Sequence, residues 1–162
     1  MREAIKDCTH IIHTASPLPA NANQKLSLEE AQTRIMRCMF KEALENKVEK
    51  IVVTSDALTM CGSSWKMTRE ERAPTYNEFD YAWRSQENRE ELRGYIASKC
   101  IQEAECQKFL DSQLDVGTGE YRPEAPEVIT LHPGLILGPP LSKATQSSTI
   151  KLFRDTLTGK IQ

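Results

Sequence analysis

The chain has 162 residues, 21 Lys and Arg against 23 Asp and Glu, a formal charge of -2 and 27% charged residues. That length suits one compact domain with a real core and is short for two, and the near balance of charge offers no basic face for nucleic acid. A mean hydropathy of -0.52 with no long apolar run argues against a membrane-spanning segment, and the charged start MREAIKDCTH lacks a signal-peptide core, so a cytoplasmic protein is expected.

Cys8, Cys38, Cys61, Cys100 and Cys106 show no paired short spacing. They read as reduced, mostly buried thiols and not as a disulfide framework. His10 and His13 are three apart in a strand-like run and so point to opposite faces, and His132 has no local carboxylate or thiol neighbour. No metal site is expected from them.

Residues Met1 to Asp7 read as the end of a helix that begins before this sequence does. Thr9 to Thr14 follows as a strand, and the adjacent Ile11 and Ile12 predict cover on both faces. Pro17 and Pro19 end it. Ser27 to Asn46 is the clearest helix: Ser27 followed by Glu30 makes a capping box, and Leu28, Ala31, Ile35, Cys38 or Met39, and Ala43 recur at helical spacing. Such a helix returns the chain to a parallel strand, giving a right-handed strand, helix, strand unit.

Lys50 to Thr54, with three β-branched residues in a row, is that next buried strand. Its end, Thr54-Ser55-Asp56, is where an open parallel sheet places a ligand. Residues 61–89 are polar and broken by Pro74, a long surface connection with one helical turn; Trp65, Tyr81 and Trp83 read as aromatics that anchor the loop to the body.

Glu90 to Ser112 is a second long helix containing RGYIASKCIQEAEC. Tyr95 and Lys99, four apart, share one face. A phenol ionises near pH 10, and a fixed positive charge beside it lowers that value, making Tyr95 a candidate proton donor or acceptor. Alone, the pair is equally at home on a solvated helix face. Residues 113–126 are turn-rich, Glu127 to Leu131 is another buried strand, and His132-Pro133-Gly134 closes it. From Ser142 a loop leads to a short amphipathic helix around Ile150, Leu152, Phe153 and Leu157.

Four segments stand in order: His13-Thr14-Ala15-Ser16-Pro17, Val53-Thr54-Ser55, Tyr95-x-x-Ser98-Lys99-x-x-x-Glu103 and His132-Pro133-Gly134-Leu135-Ile136-Leu137-Gly138-Pro139. On these the chain resembles the extended short-chain dehydrogenase/reductase family, in its dihydroflavonol-reductase-like and NAD-dependent epimerase/dehydratase branch. The resemblance implies an α/β fold with a partial Rossmann-like, doubly wound parallel sheet. Residues 1–141 would be the central part of an NAD(P)-binding domain without its N-terminal strands, and 142–162 the start of a substrate lobe or a C-terminal tail. It implies hydride transfer between the nicotinamide of NADP or NAD and a small-molecule carbonyl or secondary alcohol.

The same resemblance implies roles. Tyr95 is the acid/base, and Lys99 lowers its pKa and holds the nicotinamide ribose. Thr14, Ala15 and Ser16, unless they are only a small-residue turn, pass beneath the dinucleotide; Thr54 lies at the strand end, and Pro133, Leu135 and Ile136 lie beside the nicotinamide. The loop of residues 61–89 borders the substrate, which would make Trp65, Tyr81 and Trp83 pocket walls instead of loop anchors. The family's third catalytic group, a Ser or Thr, falls at Asp56, so Ser55 or Thr59 would have to substitute. The family's Gly-Thr-x-Asn falls at Ile35 to Cys38 and is absent.

None of Gly62, Gly94, Gly117, Gly119, Gly134, Gly138 and Gly159 makes the G-x-x-G-x-x-G turn that brings amides to a pyrophosphate. The expectation is therefore the central piece of a longer reductase, with no nucleic-acid or membrane partner and with self-association as a homodimer through helices 27–46 and 90–112. The alternative is a non-catalytic, truncated relative acting through protein association.

Overall fold

Three short runs rich in β-branched residues pair side by side in the computed structural model, which describes residues 1–17, 27–61, 76–77, 94–138 and 148–160. Strand β1 (His10–His13), β2 (Lys50–Thr54) and β3 (Glu127–Leu131) form a sheet in the order β1-β2-β3, both pairings parallel. Parallel neighbours cannot be joined by a tight turn, so the chain must cross back between them. Helix α2 (Leu28–Glu45) lies between β1 and β2 in sequence, and α3 (Leu58–Cys61) and α4 (Tyr95–Gln113) lie between β2 and β3. The fold is α/β with an open, all-parallel sheet, a partial Rossmann-like arrangement.

Local chemistry sets the helix ends. The Ser27 hydroxyl accepts from the Glu30 N–H at 3.1 Å, and the Glu30 carboxylate accepts from the Ser27 N–H at 2.9 Å, the reciprocal capping box read from the sequence. Gly94 precedes α4 at φ 63°, a conformation that a side chain would strain, and its carbonyl accepts the Ser98 N–H at 3.0 Å. Residues 90–93 lie outside the described residues. A short helix α1 (Arg2–Ile5) buries Ile5.

The core lies on one face of the sheet. Ile11, Ile51 and Val128 are neighbours in register, and this row packs with Ile5 of α1, Met36, Met39, Phe40 and Ala43 of α2, and Cys106 and Phe109 of α4. The Phe40 and Phe109 rings stack with centroids 4.2 Å apart and planes 4° from parallel, fixing α2 against α4. The opposite face differs from the expected double cover, because Ile12 is 74% exposed. Only β2 alternates cleanly, and β3 is exposed at Glu127 and Leu131, since the helices of the core all lie on the Ile11/Ile51/Val128 side.

The thiols also depart from expectation. Cys100 and Cys106 are buried, but Cys38 is exposed and Cys8 and Cys61 are half-buried; none of the five is in a disulfide. Residues 133–162 form a second compact unit after Met1–His132. In it α5 (Ser148–Leu157) carries the expected apolar positions, of which Leu152, Phe153 and Leu157 are exposed. The expected boundary at residue 141 lies outside the described residues.

Candidate functional site

In a parallel sheet every strand ends on the same edge, so residues just past β1, β2 and β3 meet there. At this edge β1 ends in buried His13, followed by exposed Thr14 and Ala15 and half-buried Ser16. Strand β2 ends at Thr54 and is followed by Ser55 and Asp56, and β3 is followed by His132. The Asp56 carboxylate accepts the Leu58 N–H at 2.9 Å and so opens α3. The first turns of α4 add Tyr95, Ser98, Lys99, Gln102 and Glu103.

Lys99 is 3% exposed, and its ammonium donates to the Thr54 carbonyl at 2.8 Å and to the Gln102 amide oxygen at 3.2 Å. Its Nζ lies 5.8 Å from the centroid of the Tyr95 ring. Burial holds this ammonium's pKa below the ordinary lysine value, while Asp56 and Glu103 act in the other direction. Burial, then the neighbouring Lys99 charge, lowers the His13 pKa as well.

The Tyr95 hydroxyl donates to Asp56 Oδ2 at 3.4 Å. Burial, then the Asp56 charge and this hydrogen bond, push the phenol above its ordinary value. Lys99 was expected to lower it. The structure gives the opposite balance because the ammonium is turned onto Thr54 and Gln102, and the nearest charged partner of the phenol is an anion.

A second polar group sits under the first. Glu103, 3% exposed, accepts hydrogen bonds from the hydroxyls of Ser55 and Thr59 on one carboxyl oxygen, and its other oxygen is buried without a partner. His132 Nδ1 lies 3.2 Å from the Thr59 hydroxyl and 3.4 Å from Glu103, and His132 Nε2 lies 3.1 Å from the Thr130 hydroxyl. In the sequence Glu103 stands only as part of a pattern and His132 has no local carboxylate or thiol neighbour; the fold supplies Glu103 to His132 from 29 positions away. One signal was available: 95, 99 and 103 fall on one helical stripe, and a polar stripe facing an apolar sheet needs partners from elsewhere in the chain.

Thr54, Ser55, Asp56, Tyr95 and Lys99 are thus brought together, with Thr14, Ala15 and Ser16 following β1 on the same edge. Ser55, 3% exposed, donates its hydroxyl hydrogen bond to Glu103. Pro133, Leu135 and Ile136 belong to the second unit, where Leu135 and Ile136 are exposed. Trp65, Tyr81 and Trp83 lie outside the described residues. Burial, then Glu103, pushes the thiols of Cys100 and Cys106 up to about 12, so neither is a nucleophile at neutral pH.

No protein-family model matches the chain, and no curated protein matches it. What the geometry defines is a polar site at the carboxyl edge of an open parallel α/β sheet. Among the described residues no helix is long and apolar enough to cross a membrane.

Proposed function

We propose that the protein is an NAD(P)-dependent oxidoreductase of the extended short-chain dehydrogenase/reductase kind, acting on a small-molecule carbonyl or secondary alcohol in the cytosol. The observation that carries this reading is the placement of Tyr95, with Lys99 beside its ring, at the strand-end edge where such sheets bind ligands.

The residues present fit the nicotinamide-ribose end of a dinucleotide. Lys99 offers a buried ammonium with one donor not taken by Thr54 or Gln102, and His13 Nε2 and Ser16 Oγ are buried polar atoms without partners at the end of β1. When bound, the nicotinamide would supply the hydride acceptor or donor. Tyr95 would move the proton: with its pKa held above the ordinary phenol value it is in the protonated form, which donates to a carbonyl oxygen. The Lys99 ammonium would orient ribose hydroxyls as a donor. Ser55 would reach a substrate oxygen only after its hydroxyl leaves Glu103.

NADPH and NADH consumption against a panel of aldehydes and ketones tests this reading, with Tyr95→Phe as the control. Turnover that falls roughly 100- to 10,000-fold in the variant, the usual value of a positioned proton donor, supports it. Equal turnover in both chains refutes the role of Tyr95.

A second reading has its own observation. The Tyr95 hydroxyl donates its hydrogen bond to Asp56 and the Ser55 hydroxyl donates its own to Glu103, so both donors are occupied within the chain and neither is directed at a substrate. On that reading the chain is a non-catalytic relative that self-associates as a homodimer through residues 27–46 and 90–112. Sedimentation equilibrium of a chain that fails to bind either nucleotide decides for it if the mass is that of a dimer.

A further inference from the structure

Gln102 stands one turn beyond Lys99 on α4 and is 0% exposed. A primary amide is a costly residue in such a place, because each buried donor or acceptor left unpaired forfeits the hydrogen bond it made to water. Here the cost is only partly offset. The amide oxygen accepts from the Lys99 ammonium at 3.2 Å, while the amide nitrogen is buried with no partner. The reverse orientation would set two donors against each other, so the oxygen must face Lys99.

The ammonium has three donors. The Thr54 carbonyl takes one at 2.8 Å and Gln102 takes a second, leaving one for a ligand. Four other ionisable groups face this ammonium: His13 from β1, Asp56 from the turn after β2, and Tyr95 and Glu103 from α4 itself. With only the Thr54 anchor, the four-carbon arm of Lys99 is free to swing onto either carboxyl group.

We propose that Gln102 is the positioning residue of this site: its amide oxygen and the Thr54 carbonyl together fix the Lys99 ammonium at the end of β2, off the two carboxyls, with one donor held ready. This role rests on the reading of Lys99 as the cation of an oxidoreductase site, but its test does not require turnover.

The full chain is labelled with [ε-13C]lysine, the Lys99 signal is assigned by its loss in Lys99→Arg, and its titration is followed in the wild type, Gln102→Met and Gln102→Glu. Met matches the length of Gln without an acceptor, so the released ammonium reaches a carboxylate and the Lys99 midpoint moves up; Glu keeps an acceptor and adds charge, so it also moves up. The melting temperature of Gln102→Met stays level or rises, because a buried unpaired N–H is removed. Coincident Lys99 titrations in the wild type and the folded variants make Gln102 a packing residue and overturn the proposal. If Gln102→Met does not fold, Gln102→Leu, which also lacks the acceptor, takes its place: a raised Lys99 midpoint supports the proposal and an unchanged one overturns it. Failure to bind NADPH or NADH would sink the oxidoreductase reading and leave this result standing.

Discussion

The Tyr95 hydroxyl donates to Asp56 Oδ2 at 3.4 Å, so the phenol at the centre of the site faces a carboxylate and not the cation one turn away on its own helix. The pair explains why the phenol is pushed above its ordinary value, with burial the larger cause and Asp56 the second. Replacing Asp56 by Ser removes the second cause and supplies a donor. The phenolate absorbance of Asp56→Ser, taken as a difference from Asp56→Ser/Tyr95→Phe, should titrate at lower pH than that of the wild type. An unchanged midpoint would mean that burial alone sets the phenol.

The joint between α2 and α4 depends on the Phe40–Phe109 stack. Phe40 is 4% exposed, and its removal opens a cavity between two helices and the sheet. Phe40→Ala should lower stability by about 3–5 kcal/mol, measured by urea denaturation. That is a large fraction of the roughly 5–15 kcal/mol that holds a typical domain, so the urea midpoint should fall sharply.

Acid should weaken the fold in two stages. His13 has its pKa lowered from 6.5 in the folded chain by burial and Lys99, so below 6.5 the unfolded chain binds a proton that the folded chain refuses, and stability falls. Glu105 is held below 4.5 first by its hydrogen bond from Arg37 at 2.8 Å, with Lys108 adding a second at 2.7 Å. Its contribution is present above 4.5 and is lost as pH falls through the lower folded value. Thermal melts across pH should show both slopes, with His13→Phe flattening the first and Glu105→Gln the second.

Much of this architecture was legible in the chain before folding. Ser27 and Glu30 announce the start of α2 because a capping box is satisfied within four residues. The β-branched run Ile51-Val52-Val53 announces β2 for an equally local reason. The pairing of Tyr95 with Lys99 was visible as spacing. What spacing could not supply was the direction of the ammonium, which depends on Thr54 and Gln102, or the hydroxyls drawn to Glu103 from residues 48 and 44 positions away. The expected double cover of β1 failed similarly: Ile11 and Ile12 are alike in sequence, and only the position of the helices makes one core and the other surface.

The central claim is that this strand-end edge receives a nicotinamide nucleotide through Lys99. Calorimetric titration of the purified chain with NADPH and with NADH, alongside circular dichroism of the same sample and a parallel titration of Lys99→Met, tests it most directly. A folded chain should bind one or both nucleotides saturably, with binding weakened at least ~10-fold in Lys99→Met, which loses a charged hydrogen-bond donor. A folded chain that binds neither nucleotide, or binds them equally well without Lys99, would contradict it.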